Sequence, residues 1–539
     1  MKGSLKIILA CLSGILLSLA WLGLPGWILF VAFLPLLCLD DHYVSAKKTV
    51  RSVSFFGQAF LAFLVWNLLT TWWIKHATPA GAIAAITLNA FAMALIWWLA
   101  HAARRRFSGS LGYLALVVFY LSFEFLHYHW DFEWPWLTLG NGFANQVKMI
   151  QWYECTGVFG GSLWILTGNI LIYKVLKNIV QRNRTRWFYI SAFSVVVWVG
   201  IPIMVSVFMY THYEEKEDPR EVVVVQPNID PYNESHDIGF SNQVLRKFVD
   251  LARSKMTGET DFILGPETIF EQYWDEENLE NNVQFRNMAR LTENTPGTEL
   301  MFGASTLKYY RSGDSIPETA RARELNDGRM LVFDVFNTAL YIGSDREPQI
   351  YHKSILVSGV EKIPYLKYLG FLQNFIIDLG GTSGSLGKQG KPANFIADDG
   401  TRIAPAICYE SIFGAYIADF VKQGARYIFI ITNDGWWKDT PGYKQHMSYA
   451  RLRAIETRRS IARAANTGIS CLINQRGDVL QKTGWWKDAA LRGKLNGNEK
   501  ITFYVKYGDY IPRIASLVSV LLVLFLLVYT LKEWSGRKN

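Results

Sequence analysis

The stretch Arg402-Ile-Ala-Pro-Ala-Ile-Cys408-Tyr-Glu-Ser-Ile-Phe413 reads as a short buried strand that runs straight into a thiol. Free cysteine is among the most buried residue types, so Cys408 by itself reads as packing. Two other stretches change that. Ile263-Leu-Gly-Pro-Glu267-Thr268 sets a carboxylate at the end of a second apolar run, and Ile350-Tyr-His-Lys353-Ser-Ile355 sets an amine at the end of a third. Taken singly, Glu267 is a cap or a surface carboxylate and Lys353 a solvated charge. A thiol, a carboxylate and an amine at the ends of different strands instead predict one catalytic centre. A thiol with a pKa of about 8.5 needs a base or a cation to become a thiolate. Glu267 suits the base, provided it is partly desolvated from its usual pKa of about 4.3. Lys353 suits the cation, and also suits stabilising an oxyanion. Glu361 is placed to orient Lys353 or to act as a second carboxylate. The backbone N–H of Tyr409 is a candidate oxyanion donor, and Glu410 a candidate anchor for the turn.

Around these stretches, β-branched and aromatic runs alternate with helical ones from about 220 to 505. Strands are expected at 222–226, 261–265, 300–303, 403–407, 427–431 and 469–473, with 330–333 and 337–342 as an adjacent pair. Residues 444–466 have helix formers, many Arg and an apolar stripe at Met447, Leu452, Ile455 and Ile461, which predicts one helix with one buried face. Interleaved strands and helices predict an α/β layered domain. The turn Thr432-Asn-Asp-Gly435 follows a strand, where such folds bind ligands. Residues 363–377 carry an aromatic stripe at helical spacing; it reads either as a core helix or as an interfacial arm dipping into a bilayer.

The α/β region is flanked by apolar chain. The sequence is 50% hydrophobic and 15% aromatic, with 20 Trp in 539 residues. Spans of about 17–25 apolar residues account for this. Eight are expected, at 7–23, 25–39, 53–74, 82–100, 111–127, 158–176, 188–210 and 514–531. Basic residues follow every second connection: Lys47, Lys48 and Arg51; Arg104 to Arg106; Lys174 to Arg186; and the tail at Lys532, Arg537 and Lys538. The positive-inside rule then sets both termini in the cytoplasm and the long segment 213–513 on the other side. The expected domains are a seven-span membrane domain at 1–212, the extramembrane domain at 213–513, and an eighth span with a basic tail at 514–539. Glu124 is the main ionisable residue within a span and so a functional candidate by default, but it reads rather as a helix–helix hydrogen bond or as a residue close to the interface.

The net charge of +9 is taken up by these flanks, so a nucleic-acid partner is not expected. Five Cys exclude a dense disulfide framework, and nine His without metal-ligand spacing argue against a metal site. Leu9-Ala-Cys11 imitates a lipid-attachment box, but the apolar run continues past it, so a spanning anchor is expected. Gly387-Lys388 and Gly390-Lys391 fail as phosphate loops for want of the upstream Gly and the following Ser or Thr.

The order Gly265-Pro-Glu267, Lys353, Ile407-Cys408-Tyr-Glu410 resembles the nitrilase superfamily. More narrowly, the chain resembles the apolipoprotein N-acyltransferase family. That likeness is carried by Val225-Gln-Pro-Asn228, Thr432-Asn-Asp-Gly-Trp436, Gln445-His446, Arg453-Ala-Ile-Glu-Thr-Arg458 and Arg463-Ala-Ala-Asn-Thr-Gly468. It implies an α-β-β-α sandwich inserted before the last of eight spans, in a bacterial inner membrane with the catalytic domain in the periplasm. It implies ping-pong transfer of the sn-1 acyl chain of a phospholipid through a Cys408 thioester to the α-amine of a diacylglyceryl-cysteine at an apolipoprotein N-terminus. Glu267 is then the base, Lys353 the oxyanion stabiliser and Cys408 the nucleophile. Glu361, Tyr409 and Glu410 match supporting positions, and Trp436 with Trp437 would line the substrate mouth. No cofactor is implied, and nothing demands a partner subunit, so a monomer is expected. The family's Leu-Val-Pro-Phe-Gly-Glu is replaced by Leu356-Val-Ser-Gly-Val-Glu361, Pro227 stands for a Gly, and Tyr232 stands near an expected Trp. Competing readings are a membrane-tethered amidase or other nitrilase-type hydrolase, which resolves the thioester with water, and a non-enzymatic transporter or scaffold.

Overall fold

The computed structural model describes residues 1–45, 52–107, 109–183, 185–232, 238–270, 272–293, 295, 297–343, 347–365 and 385–536. Residues 366–377 of the expected aromatic arm lie outside the described residues. The chain divides into two compact units. One comprises Met1–Lys75, Ala80–His212 and Tyr507–Asn539; the other comprises His76–Pro79 and Tyr213–Lys506.

The first unit is helical. Among the described residues, six helices are long and apolar enough to cross a membrane: Gly26–Ser45, Ser52–His76, Pro79–Arg106, Tyr153–Val180, Arg186–His212 and Tyr510–Leu531. The expected first and fifth spans form the shorter apolar helices Gly3–Leu19 and Ser110–Leu126, each of 17 residues. At about 1.5 Å per residue, such a helix is roughly 25 Å long, below the hydrocarbon thickness of about 30 Å. Six helices rather than eight therefore reach spanning length on their own. The expected second span runs to Ser45 but is broken at Phe33, between Leu29–Ala32 and Leu34–Ser45. Freed backbone groups in an apolar medium need internal partners. Asn169 supplies both, accepting the Phe33 N–H at 2.9 Å and donating to the Leu29 carbonyl at 2.7 Å. Glu124 is buried; it accepts the N–H of Leu139, at the start of the short helical turn Leu139–Phe143, at 2.7 Å, and it also hydrogen-bonds Ser162 of helix Tyr153–Val180. Part of the basic flank is paired inside the unit: Arg104 donates to Asp40 and, at 3.1 Å, to Asp41.

The second unit is built on two sheets. The first orders β14-β1-β2-β4-β6-β5, from β1 (Pro219–Gln226), β2 (Thr260–Leu264), β4 (Glu299–Tyr310), β5 (Arg321–Glu324), β6 (Met330–Ile342) and β14 (Ala489–Asn496); β3 (Tyr273–Asp275) pairs with β4 and β7 (Gln349–His352) with β6. The second orders β13-β12-β11-β10-β9-β8, from β8 (Phe395–Ile396), β9 (Arg402–Ile407), β10 (Tyr427–Thr432), β11 (Ser460–Ala465), β12 (Cys471–Ile473) and β13 (Val479–Lys482). Strand alternation sorts the core. Val222 and Val224 join Leu264, Met301, Phe429 and Ala462 in the core between the sheets, where Phe262 meets Phe429 edge to face at 5.4 Å. Val223 and Val225 face the other way, onto Val244, Phe248 and Met288 of helices Ile238–Arg253 and Val283–Glu293. Helices Gly414–Lys422 and Pro441–Thr457 cover the second sheet with Ile417, Phe420, Ala450 and Ala454. The layers are thus α-β-β-α, a nitrilase-like sandwich.

Two local expectations are corrected. The expected pair at 330–333 and 337–342 is one continuous strand, β6, which runs antiparallel to β4 through the register Leu300↔Ile342 to Tyr310↔Val332. The expected helix 444–466 stops at Thr457, where Arg458 turns left-handed at φ 52°, and the chain resumes as β11. The arginines there are not a solvated face: Arg453, Arg458, Arg459 and Arg463 are fully buried. Their guanidinium groups bond carbonyls and carboxylates, as in Arg459 Nε to Ala425 O at 2.7 Å and Arg453 Nη2 to Glu456 Oε1 at 2.9 Å. A helical period alone does not reveal such partners.

Candidate active site

Cys408 sits where β9 ends. All of β9 but Arg402 is buried, and Pro405 is tolerated there because β8 pairs only as far as Ile403. Cys408 itself opens a short helical turn, Cys408–Ile412, at φ 50°, a left-handed conformation unusual for a residue with a Cβ. Glu410 secures this turn. Its Oε2 accepts the Ile407 N–H at 2.8 Å, and its Oε1 accepts the Ser354 N–H at 2.6 Å and the Tyr351 hydroxyl at 2.8 Å. Glu410 therefore ties the Cys408 turn to the loop that follows Lys353. Burial pushes its carboxyl up to about 7 despite those hydrogen bonds.

Glu267 follows β2. The close approach depends on Gly303 of β4, where a Cβ would stand 2.6 Å from the Thr268 nitrogen and 2.7 Å from the Glu267 Cα. Gly303 N–H donates to Pro266 O at 2.9 Å. Lys353 follows β7, and its N–H donates to Asn337 O at 2.9 Å. Its side chain is buried, and Nζ donates to Glu361 Oε1 at 2.8 Å and to Glu267 Oε1 at 3.3 Å. Burial would lower the Lys353 amine, but the carboxylates of Glu267 and Glu361 and the Cys408 thiol outweigh it and hold the ammonium well above its ordinary value. Cys408 lies in the same field. Burial, then the negative charge of Glu267, pushes the thiol well up, while Lys353 and a hydrogen bond with the Thr432 hydroxyl oppose them.

The altered 356–361 loop still delivers its carboxylate. Glu361 N–H donates to Val357 O at 2.8 Å, Val357 N–H donates to Glu361 Oε2 at 2.8 Å, and Gly359 takes the left-handed φ of 82° that closes the turn. The side chain of Tyr409 is buried edge-on to Phe413, at 5.3 Å between ring centroids. Trp436 is 38% exposed and meets Tyr232 edge to face at 5.6 Å; the Tyr232 hydroxyl donates to Trp436 O at 2.7 Å. Trp437 is half-buried, edge-on to His446 at 5.4 Å. Glu267 and Glu361 are thus linked through the Lys353 ammonium, Cys408 lies within the electrostatic field of Glu267 and Lys353, and the two tryptophans occupy the turn Asp434–Trp437.

Sequence reading missed Asn337, whose Nδ2 donates to Glu267 Oε1 at 2.7 Å and to Glu361 Oε1 at 3.0 Å. Its signal was an amide within the otherwise apolar end of β6. It also missed the Asn433 N–H, which donates to Glu267 Oε2 at 2.9 Å. The buried group behind the nucleophile was missed too. There His446 Nδ1 lies 2.9 Å from Asp434 Oδ1, and Arg463 Nη2 donates to Asp434 Oδ2 at 2.8 Å. Arg463 and His446 hold the Asp434 carboxyl well below the usual carboxylate range although burial opposes them. Among the described residues, no group of three or more His, Cys, Asp or Glu is arranged to hold a metal ion.

Residues 223–496 match the family of carbon-nitrogen hydrolases, and residues 13–171 match the apolipoprotein N-acyltransferase N-terminal domain. The apolipoprotein N-acyltransferase of Chlorobaculum tepidum is 28% identical over 520 residues, covering 94% of this chain and 93% of its own. That of Geobacter metallireducens is 27% identical, covering 93% and 91%. Among solved structures, Saccharomyces cerevisiae Nit3, a member of branch 10 of the nitrilase superfamily, aligns at 14% identity with a TM-score of 0.36, over 52% of this chain and 90% of Nit3.

Proposed function

The chain belongs to the carbon-nitrogen hydrolase family, and from that premise we propose that it is an apolipoprotein N-acyltransferase. The observation that carries this reading is the pairing, in one chain, of the hydrolase domain with the N-acyltransferase N-terminal domain, in register with N-acyltransferase relatives over nearly its whole length. A membrane-tethered amidase accounts for the match at 223–496 and leaves that at 13–171 unexplained.

In this reading Glu267 takes the Cys408 proton as the sulfur attacks the sn-1 ester carbonyl of a phospholipid. The Lys353 ammonium, with the Tyr409 N–H, stabilises the tetrahedral oxyanion. The C–O bond breaks, the proton passes from Glu267 to the leaving alkoxide, and lysophospholipid departs. The α-amine of a diacylglyceryl-cysteine then attacks the thioester. A C–N bond forms, the C–S bond breaks, and the amine proton returns through Glu267 to sulfur. A thiol held up by burial and by Glu267 stays protonated at rest, so the base acts during attack rather than beforehand. Glu361 and Glu410 keep Lys353 and the nucleophile turn in place, and Trp436 and Trp437 line the mouth for the acyl chain.

The domains are read as 1–212, 213–513 and 514–539, with eight spans in all, the two 17-residue helices crossing where the bilayer thins or their flanks snorkel. The basic connections support cytoplasmic termini and a periplasmic catalytic domain in a bacterial inner membrane. The enzyme works as a monomer on two lipidic substrates. The deciding experiment is intact-protein mass after incubation of wild type and Cys408→Ser with phospholipid and no acceptor. A hydroxylamine-labile acyl adduct on wild type alone is expected; a folded wild type that forms none rules the reading out.

A further inference from the structure

Something must hold Cys408 in its left-handed conformation, φ 50°, since a residue with a Cβ does not rest there unaided. Its carbonyl oxygen receives two hydrogen bonds from side chains. Ser411 Oγ donates at 2.7 Å, and His446 Nε2 lies at 3.2 Å. A carbonyl only accepts, so in this contact Nε2 is the donor; the Ser411 hydroxyl lies at the same 3.2 Å from Nε2. The imidazole is buried, with its other nitrogen 2.9 Å from Asp434 Oδ1 and 3.0 Å from Arg463 Nη2. Asp434 is itself fixed, by Arg463 at 2.8 Å and by the Thr432 hydroxyl at 2.9 Å. A Cβ on Gly468 would stand 2.5 Å from Asp434 Oδ2, so only glycine leaves room for that carboxylate.

The residue before Asp434 is Asn433, whose N–H donates to Glu267 Oε2 at 2.9 Å. One turn after β10 therefore reaches both reacting groups: the base directly, and the nucleophile through Asp434, His446 and the Cys408 carbonyl. We propose that His446, anchored by Asp434, is a positioning residue that holds the Cys408 backbone, and so the thiol, in register with Glu267. Its consequence for acyl transfer rests on the function proposed above; its consequence for the thiol does not.

The test compares two polar variants of the full-length protein in detergent. The amide of His446→Gln reaches the place of Nε2, whereas that of His446→Asn reaches only the place of Nδ1. Melting temperature, the rate of Cys408 alkylation by iodoacetamide, and kcat and KM for acyl-enzyme formation from phospholipid are measured. For His446→Asn, alkylation and kcat are expected to fall about 100-fold, the cost of a misplacement of about 1 Å, with KM within about twofold. For His446→Gln both are expected to recover to within about tenfold of wild type. Equal rates in the two variants, whether normal or equally slow, overturn the proposal. Should His446→Asn not fold, Asp434→Asn, which unanchors the ring, is read the same way, and wild-type alkylation there overturns it. If wild type alkylates but never acylates, the acyltransferase reading fails and the alkylation comparison still decides the role of His446.

Discussion

The backbone N–H of Asn433 donates to Oε2 of Glu267 at 2.9 Å, although the two residues follow strands of different sheets and are 166 positions apart. The other oxygen of that carboxylate takes Asn337 Nδ2 at 2.7 Å and Lys353 Nζ at 3.3 Å. Both oxygens are thereby fixed, and the carboxylate has one orientation.

Glu267→Gln keeps the size of the side chain and removes its basicity. Acyl-enzyme formation should slow by about 10³-fold, within the range of general-base contributions, with the melting temperature little changed. Single-turnover mass spectrometry reads the rate, and a near-normal rate would remove Glu267 from the mechanism.

Asn337→Leu deletes a neutral donor shared by Glu267 and Glu361. Hydrogen bonds to charged groups are worth about 1.5–3 kcal/mol, so a loss of about ten- to 100-fold in kcat is expected. Asn337→Asp should be worse, because it adds a third carboxylate beside the pair. Steady-state kinetics of the two variants give the order.

Gly303→Ala would force a Cβ to within 2.6 Å of a backbone nitrogen, which has no rotamer to escape into. Overpacking of this kind costs about 1–3 kcal/mol and displaces Glu267. Thermal melting and activity should fall together, whereas Gly297→Ala, with open space at its Cβ but φ 84°, should affect stability without touching the site.

The Glu410 carboxyl is pushed up by burial to about 7 in the folded protein, from an ordinary value of 4.5. Its folded pKa is raised, so its contribution to stability is complete below 4.5 and is lost as the pH rises through about 7. Glu410→Gln should flatten the decline of melting temperature across that window, by an amount on the order of 3 kcal/mol in the linkage, since each pKa unit is about 1.36 kcal/mol. An unchanged pH profile would show that Glu410 does not titrate there.

Trp436 is 38% exposed while Trp437 packs on buried His446. Trp436→Ala should raise KM for phospholipid with little change in melting temperature, and Trp437→Ala should lower both kcat and stability. Unchanged acyl-enzyme formation in both would dismiss the mouth assignment.

Much of this was legible in the chain because it depends on short-range patterns. Apolar length marks helices of spanning size. Runs such as 222–226 and 427–431 mark buried strands. Cys408, Glu267 and Lys353 each stand where such a run ends, so their chemistry is visible before any folding is considered. Short-range pattern failed where two periods compete. The arginine-rich stretch 444–466 satisfies a helical stripe throughout, yet β11 is drawn from its second half because Ser460–Ala465 fills the gap between β10 and β12. The expected spans 7–23 and 111–127 form 17-residue helices, Gly3–Leu19 and Ser110–Leu126, the first displaced by four positions toward the N-terminus because an apolar run does not mark where the helical hydrogen bonds begin and end.

By itself the sequence determined the two classes of unit and the strands that lead to Cys408, Glu267 and Lys353, because hydrophobic period is a local property. Only the tertiary structure decided which polar groups meet. Asn337 became a bridge between two carboxylates, Asn433 an anchor for the base, and His446 a hand on the nucleophile's carbonyl. The physical reason is that a buried charge must find hydrogen-bond partners wherever packing brings them, and sheet pairing across more than a hundred residues, not sequence proximity, sets where that is.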